Sequence, residues 1–176
     1  KNNYFKNKLI QTINFMNVEF LNNESLYGSA YDADSDGVEG KFYVWTYNEL
    51  KEIAKDDLII FKKKYEISIN GNFEGSNILI ENKNYELSAQ EAIKINQIEV
   101  LLMEKRVIRQ KPLFDNKAQT DLNAFFINSL IHASIVLEDS ELKNKILNTA
   151  KVLERKLSKK IYHCFENDEI DVFLED

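Results

Sequence analysis

Gln119-Thr-Asp-Leu-Asn-Ala-Phe-Phe-Ile-Asn-Ser-Leu-Ile-His-Ala-Ser-Ile-Val-Leu137 passes through two residues into Ser140-Glu-Leu-Lys-Asn-Lys-Ile-Leu-Asn-Thr-Ala-Lys-Val-Leu-Glu-Arg-Lys-Leu157, and this pair decides the fold. In the first stretch Leu122, Phe125, Phe126, Ile127, Leu130, Ile131, Ile135, Val136 and Leu137 point in nearly every direction around a helix axis. That predicts a helix over 119–137 buried all round, with Phe126 and Leu130 almost fully enclosed. In the second, Leu142, Ile146, Ala150, Leu153, Leu157 and Ile161 form a single stripe among Lys, Glu and Asn. A helix over 140–160 with core on one side and water on the other follows. An inner apolar helix joined by a short turn to an outer amphipathic one marks a two-layer array of helical hairpins, a solenoid or a closed toroid. No residue-level repeat period stands out, which disfavours the regular solenoid.

Working outward, Ser88-Ala-Gln-Glu91 is a capping box that opens a helix through about Arg109, stopped before Pro112. Phe5, Leu9, Ile13, Met16 and Phe20 recur at helical spacing over residues 3–22. Between these helices the reading changes. Residues 27–40 hold three of the five Gly and a run of short polar side chains, which is loop composition. Lys41–Trp45 reads as a short strand, and Thr46-Tyr-Asn-Glu49 as a second capping box opening a helix to about Lys55. A short helix, an extended stretch at Tyr65–Ile69, a Gly-containing turn and Ile78–Ile80 complete the segment. The expected fold class is therefore mainly α, one partial domain over 1–176 with a small α+β insertion at about 41–82.

Composition narrows the function classes. The 176 residues carry 23 basic and 29 acidic side chains, a net charge of −6, so no phosphate backbone is an expected partner. The run Lys62–Lys64 reads as a solvated element end. No apolar stretch approaches the ~18 residues of a bilayer span, and no signal-peptide apolar region opens the chain. The expected compartment is the cytoplasm, with no membrane partner. The chain begins with Lys and both ends are abrupt, so it reads as a piece of something longer. One Cys and two His exclude a disulfide framework and a Cys-rich zinc site, and no cofactor is expected.

The densest chemistry lies at Asp32-Ala-Asp34-Ser-Asp36-Gly37-Val-Glu39-Gly40. Acids at positions one, three and five before Gly resemble a calcium loop, but Tyr43 occupies the twelfth position where a bidentate Glu belongs, so no metal is assigned. The same carboxylates suit acid–base work at a sugar, where two carboxyl groups stand roughly 5–10 Å apart. Asp32 and Asp34 share a direction if the chain is extended, so the second carboxylate would come from elsewhere, for example Asp115, Asp121 or Glu175-Asp176. Like charges this dense need compensation, available from turn amides and from Lys41, Arg106, Arg109 and Lys117. Tyr43 and Trp45 offer aromatic faces beside the loop. His132 reads as a core histidine, and adjacent His163 and Cys164 diverge rather than form a dyad.

Asp32-Ala-Asp-Ser-Asp-Gly-Val-Glu-Gly-Lys-Phe-Tyr-Val-Trp45 resembles the DADSEGxEGxFYVW signature of the thioredoxin-domain-containing family that includes spermatogenesis-associated protein 20. Three further stretches agree in order: Asn72–Asn77 with NFEGxN, Arg106–Asn123 with RxxRxxPxxDxKxLTxWNG, and Phe173–Asp176 with FLEDYA. The resemblance implies part of an (α/α)6 toroid similar to six-hairpin glycosidases and N-acylglucosamine 2-epimerases, without the family's thioredoxin-like domain. It implies a small carbohydrate ligand, with Asp32, Asp34, Asp115, Asp121 and Asp176 as catalytic candidates. Glu39, Tyr43, Trp45, Arg109, Lys117 and Asn123 are the substrate-binding candidates. Leu122, Ala124 and Ile80 stand where the family usually has Trp, Gly and His; the first difference removes a stacking surface beside Asn123. The alternative is a non-catalytic structural or interaction domain. Helix faces left open in a partial toroid would support self-association.

Overall fold

The computed structural model describes residues 3–158 and 162–165. It is mainly helical, with two-residue antiparallel ladders between the helices. Two compact units emerge, Lys1–Tyr31 with Phe114–Asp176, and Asp32–Leu113.

The first unit contains α1 (Asn3–Glu19), β1 (Ala30–Tyr31), β6 (Phe114–Asp115), β7 (Ala118–Gln119), α5 (Thr120–Leu137), α6 (Ser140–Leu157) and β8 (Cys164–Phe165). The hairpin α5–α6 is its centre. Glu138 takes a left-handed conformation (φ 58°) to end α5, and Asp139 then caps α6 by accepting the Leu142 amide at 2.9 Å. Leu130, Ala133, Leu142, Ile146 and Leu153 join Ile13 of α1 and Leu26 and Tyr27 of the following loop in one buried cluster. The single stripe of α6 is as the sequence indicates, with Ile161 outside the described residues.

The inner helix is not buried all round. Leu130 is enclosed, but Phe126 is only half-buried and Leu122, Phe125, Ile131, Ile135 and Val136 are exposed. Its helical contacts within the unit are α6 and α1, which cover one half of its circumference. An 18-residue window of α5 reaches a mean hydropathy of 1.2, long and apolar enough to cross a bilayer by length and composition. That corrects the expectation of no such stretch. The helix nonetheless contributes Asn123, Ile127 and Leu130 to a packed interior.

The strands where the chain leaves and re-enters this unit pair with each other, Ala30 opposite Asp115 and Tyr31 opposite Phe114. The Phe114 ring stacks at 4.8 Å on Tyr31 and lies edge-on to Phe20 at 5.9 Å. Gly28 permits this closure, because a Cβ there would stand 2.5 Å from the Phe114 ring.

The second unit contains β2 (Asp34–Ser35), β3 (Val38–Glu39), α2 (Tyr47–Ala54), α3 (Leu58–Lys64), β4 (Tyr65–Glu66), β5 (Ile80–Glu81) and α4 (Ala89–Val107). Both capping boxes form: Thr46 and Glu49 open α2, and Ser88 and Glu91 open α4. Trp45, Leu50, Phe61, Ile95, Ile98 and Leu102 make the core. Helix α4 supplies three of those six side chains, so it packs in one compact unit, Asp32–Leu113, with the 41–82 segment. Residues 41–45 form a turn instead of a strand, contributing one isolated bridge, Trp45 to Asn77.

Two glycines test the turn geometry. Gly37 (φ 72°) has open space where a Cβ would go, whereas at Gly71 (φ 79°) a Cβ would meet the Ser76 carbonyl oxygen at 2.4 Å. Gly37→Ala is expected to cost about 1–2 kcal/mol of left-handed strain, and Gly71→Ala at least twice that. Equal losses in paired thermal denaturations would contradict the close approach at Gly71.

Candidate functional site

The acidic stretch folds as a tight hairpin. Asp34 lies opposite Glu39 and Ser35 opposite Val38, while Asp36 (φ 54°) and Gly37 (φ 72°) take the two positive-φ positions of the turn. Asp32 accepts the Asp34 amide at 3.2 Å, a local turn cap. A second turn has the same form. Phe73 and Ser76 bridge each other, with Glu74 (φ 45°) and Gly75 (φ 77°) between them. Asp tolerates this region through its short side chain, whereas for Glu it is uncommon and strained.

These two turns border one pocket of about 500 Å³. Ser35, Asp36, Val38 and Glu39 come from the hairpin, and Phe73, Glu74 and Ser76 from the second turn. Lys41, Phe42 and Val44 of the intervening segment, Thr46 and Glu49 at the start of α2, and Arg109 and Gln110 complete the wall.

The four carboxylates here are in different states. Asp36 is hydrogen-bonded to Lys41 and, beside that ammonium, is held below its ordinary value. Burial pushes Glu49 up, but hydrogen bonds from the Thr46 amide and hydroxyl, with the Arg109 guanidinium at 2.9 Å, outweigh it and the net shift is downward. Glu39 and Glu74 are exposed and have no ion-pair or hydrogen-bond partner for their carboxylates among the described residues. Two anionic groups are therefore free to accept hydrogen bonds from a guest.

The residues with the largest expected binding surfaces are built into the scaffold instead. Arg109 donates to the carbonyls of Lys41 (3.2 Å), Phe42 (3.1 Å) and Val44 (2.7 Å), and its guanidinium lies 3.9 Å from the centre of the Trp45 ring. Trp45 is 1% exposed, so it has no face for a sugar. Arg109 lines the pocket but its donors are engaged internally. Arg106 sits 5.7 Å from the rings of both Tyr43 and Trp45. Burial and the neighbouring Arg109 charge lower its pKa. Arg106 and Arg109 thus fold against the backbone of 41–44, and Lys41 reaches Asp36 of the loop.

Asparagines repeat one device. Asn123 accepts the Tyr27 amide at 2.8 Å and donates to the Tyr27 and Gln119 carbonyls, both at 2.9 Å. Asn77 grips Ser68 in the same way, and Asn72 grips Ile78. Each side-chain amide stands in for a strand partner, satisfying both backbone groups of one residue where no ladder exists. Asn123 is 1% exposed and fully engaged, so its expected role in binding is replaced by a clamp on the Tyr27 loop.

The remaining expectations divide as follows. Asp32 and Asp34 belong to the hairpin but do not line the pocket, whereas Glu39 does and Tyr43 is exposed beside Arg106. Asp115 and Asp121 lie in the other unit: Asp115 pairs with Lys117 Nζ at 3.1 Å, and Asp121 accepts the Leu122 amide at 2.6 Å. Asp176 and the Phe173–Asp176 segment fall outside the described residues. His132 is exposed rather than in the core, and Cys164 is buried. Among the described residues no three His, Cys, Asp or Glu side chains are grouped to hold a metal ion. Glu49, Phe73 and Glu74 enter the site without having been singled out as binding candidates, whereas Asp36 was read as part of the acidic run. The one available signal was acid–Gly, shared by Asp36-Gly37 and Glu74-Gly75. No protein-family model and no curated protein matches the chain.

Proposed function

We propose that the pocket of the Asp32–Leu113 unit binds a small carbohydrate, holding it rather than cleaving it. The observation that carries this reading is the pair of positive-φ turns whose acids Asp36 and Glu74 border one cavity, with the carboxylates of Glu39 and Glu74 lacking partners among the described residues. A carboxylate accepts hydrogen bonds from neighbouring hydroxyls of a sugar, and the partly exposed Phe73 ring supports its apolar face. Strain at Glu74 is the kind of local cost found at binding sites. Glycoside cleavage asks for one carboxyl group kept protonated. Asp36 and Glu49 are shifted the opposite way, which favours binding.

This reading fits a piece of an (α/α)6 toroid of the thioredoxin-domain-containing family resembled by residues 32–45, 72–77 and 106–123. The α5–α6 hairpin supports that assignment. The competing reading, a purely structural or interaction domain of such a multidomain protein, draws support from Trp45, Arg109 and Asn123 being engaged internally.

Titration of the chain with neutral monosaccharides and disaccharides, followed by amide chemical shifts, separates the two. Saturable shifts in residues 35–44 and 73–76 are expected. Glu74→Gln and Glu39→Gln should each weaken the bound sugar about tenfold, the worth of one hydrogen bond to a charged group. Absence of saturable shifts with every sugar would select the structural reading.

A further inference from the structure

We infer that the sugar taken by the pocket of the Asp32–Leu113 unit is an amino sugar, whose protonated amine is held by Glu39 and Glu74. The inference rests on the carbohydrate reading above and adds the charge of the ligand. Four acids, Asp36, Glu39, Glu49 and Glu74, line the cavity against two bases, Lys41 and Arg109. Lys41 pairs with Asp36, and Arg109 with Glu49 at 2.9 Å, so both cations are used and two of the anions are matched. Glu39 and Glu74 have no ion pair among the described residues, which leaves the wall with two negative charges in excess.

An aromatic ring lies between these two acids along the cavity wall. Phe73 directly precedes Glu74, and its ring reaches the residue that follows Glu39, since a Cβ on Gly40 would stand 3.6 Å from Phe73 Cε1. Phe73 lines the same cavity and is only partly buried. An ammonium is attracted both to carboxylates and to the face of an aromatic ring. The rest of a sugar fits the remaining space, because about 500 Å³ is within the range of small-ligand pockets.

Charge selects this ligand over its alternatives. An acidic sugar would bring a further carboxylate to a wall whose two bases are already engaged. A neutral sugar can donate to Glu39 and Glu74 but leaves their repulsion in place, whereas an ammonium offers three donors and a compensating charge. A calcium ion takes about six to eight oxygens, and among the described residues no three His, Cys, Asp or Glu side chains are grouped to supply them. The net charge of −6 on the whole chain also favours the approach of a cation, to a degree that salt screens.

Titrations of the whole chain with glucosamine, glucose, N-acetylglucosamine, glucuronate and cyclohexylamine, at matched ionic strength and followed by the amide shifts of residues 35–44 and 73–76, test the inference. Glucosamine is expected to bind about tenfold tighter than glucose or its own acetylated form, with glucuronate weakest. Added sodium chloride should erode that preference and leave the glucose affinity in place. Glu39→Gln and Glu74→Gln should each cost glucosamine about threefold more affinity than they cost glucose. Glu86→Gln, an exposed acid outside the cavity, should leave the ratio unchanged. Equal affinities for the amine, the neutral sugars and the acetylated sugar would overturn the amino-sugar assignment while the carbohydrate reading stands. A preference that neither Gln variant reduces, or one that Glu86→Gln reduces equally, would overturn it too. Cyclohexylamine binding as tightly as glucosamine would mean that the hydroxyls contribute nothing, and saturable shifts with none of the five would remove both readings together.

Discussion

Asn123→Ala is expected to destabilise the first unit by about 3–5 kcal/mol, the largest effect of any single polar substitution in it. The variant would leave the Tyr27 amide and carbonyl and the Gln119 carbonyl without their partners, at a site that is 1% exposed. Each buried orphan costs about 1–3 kcal/mol, and Tyr27 also anchors the Phe126 ring at 4.5 Å. Thermal denaturation should register a fall of roughly 10 °C for a chain of this size. Asn123→Asp sharpens the test. It keeps the acceptor for the Tyr27 amide but sets a carboxylate against two carbonyls, so it should be no better than Ala. Wild-type stability in Asn123→Asp, with amide exchange at Tyr27 unchanged, would mean that the clamp does not hold the loop.

Arg109→Ala carries the second large effect, in the other unit. One guanidinium serves three carbonyls of the 41–44 turn, pairs with Glu49 and covers Trp45. Its removal should cost about 3 kcal/mol or more, since hydrogen bonds to a charged group contribute about 1.5–3 kcal/mol each and are not additive. Arg109→Lys should recover less than half of the loss, because a single ammonium has neither the planar fork nor the stacking face. Tryptophan fluorescence reports the uncovering of Trp45 directly. A lysine variant with parental stability and an unshifted emission maximum would show that charge alone is needed. Sugar titrations of Arg109→Lys would also fail if the turn bordering the pocket loosened, which is why the binding test rests on Glu39 and Glu74.

The amino-acid pattern made the helices legible. Both capping boxes are local, three residues from donor to acceptor, and Thr46–Glu49 and Ser88–Glu91 form as the spacing requires. The α6 stripe is equally local, because one polar face and one apolar face leave a single way to lie on a core. Residues 41–45 were misread for the opposite reason. Their alternating aromatics suit a strand, yet that backbone is satisfied by Arg109, more than sixty residues on, rather than by a ladder.

By itself the sequence determined the helical elements, their caps, the α5–α6 hairpin and the acid–glycine turns, all governed by contacts within a few residues. Only the tertiary structure decided which side chains are free. Hydrophobicity marks α5 as apolar but does not say which neighbours exist to cover it, and half of it is exposed. Charge and aromatic character marked Arg109 and Trp45 as binding residues, and the family resemblance added Asn123. The fold engages Arg109 and Asn123 in long-range hydrogen bonds, since a buried polar group seeks a partner wherever the chain brings one, and encloses Trp45 beneath the Arg109 guanidinium. Glu74 shows the converse. Nothing in its own surroundings distinguishes it from a solvated surface acid until the Phe73–Ser76 turn and the Asp36 hairpin border the same cavity.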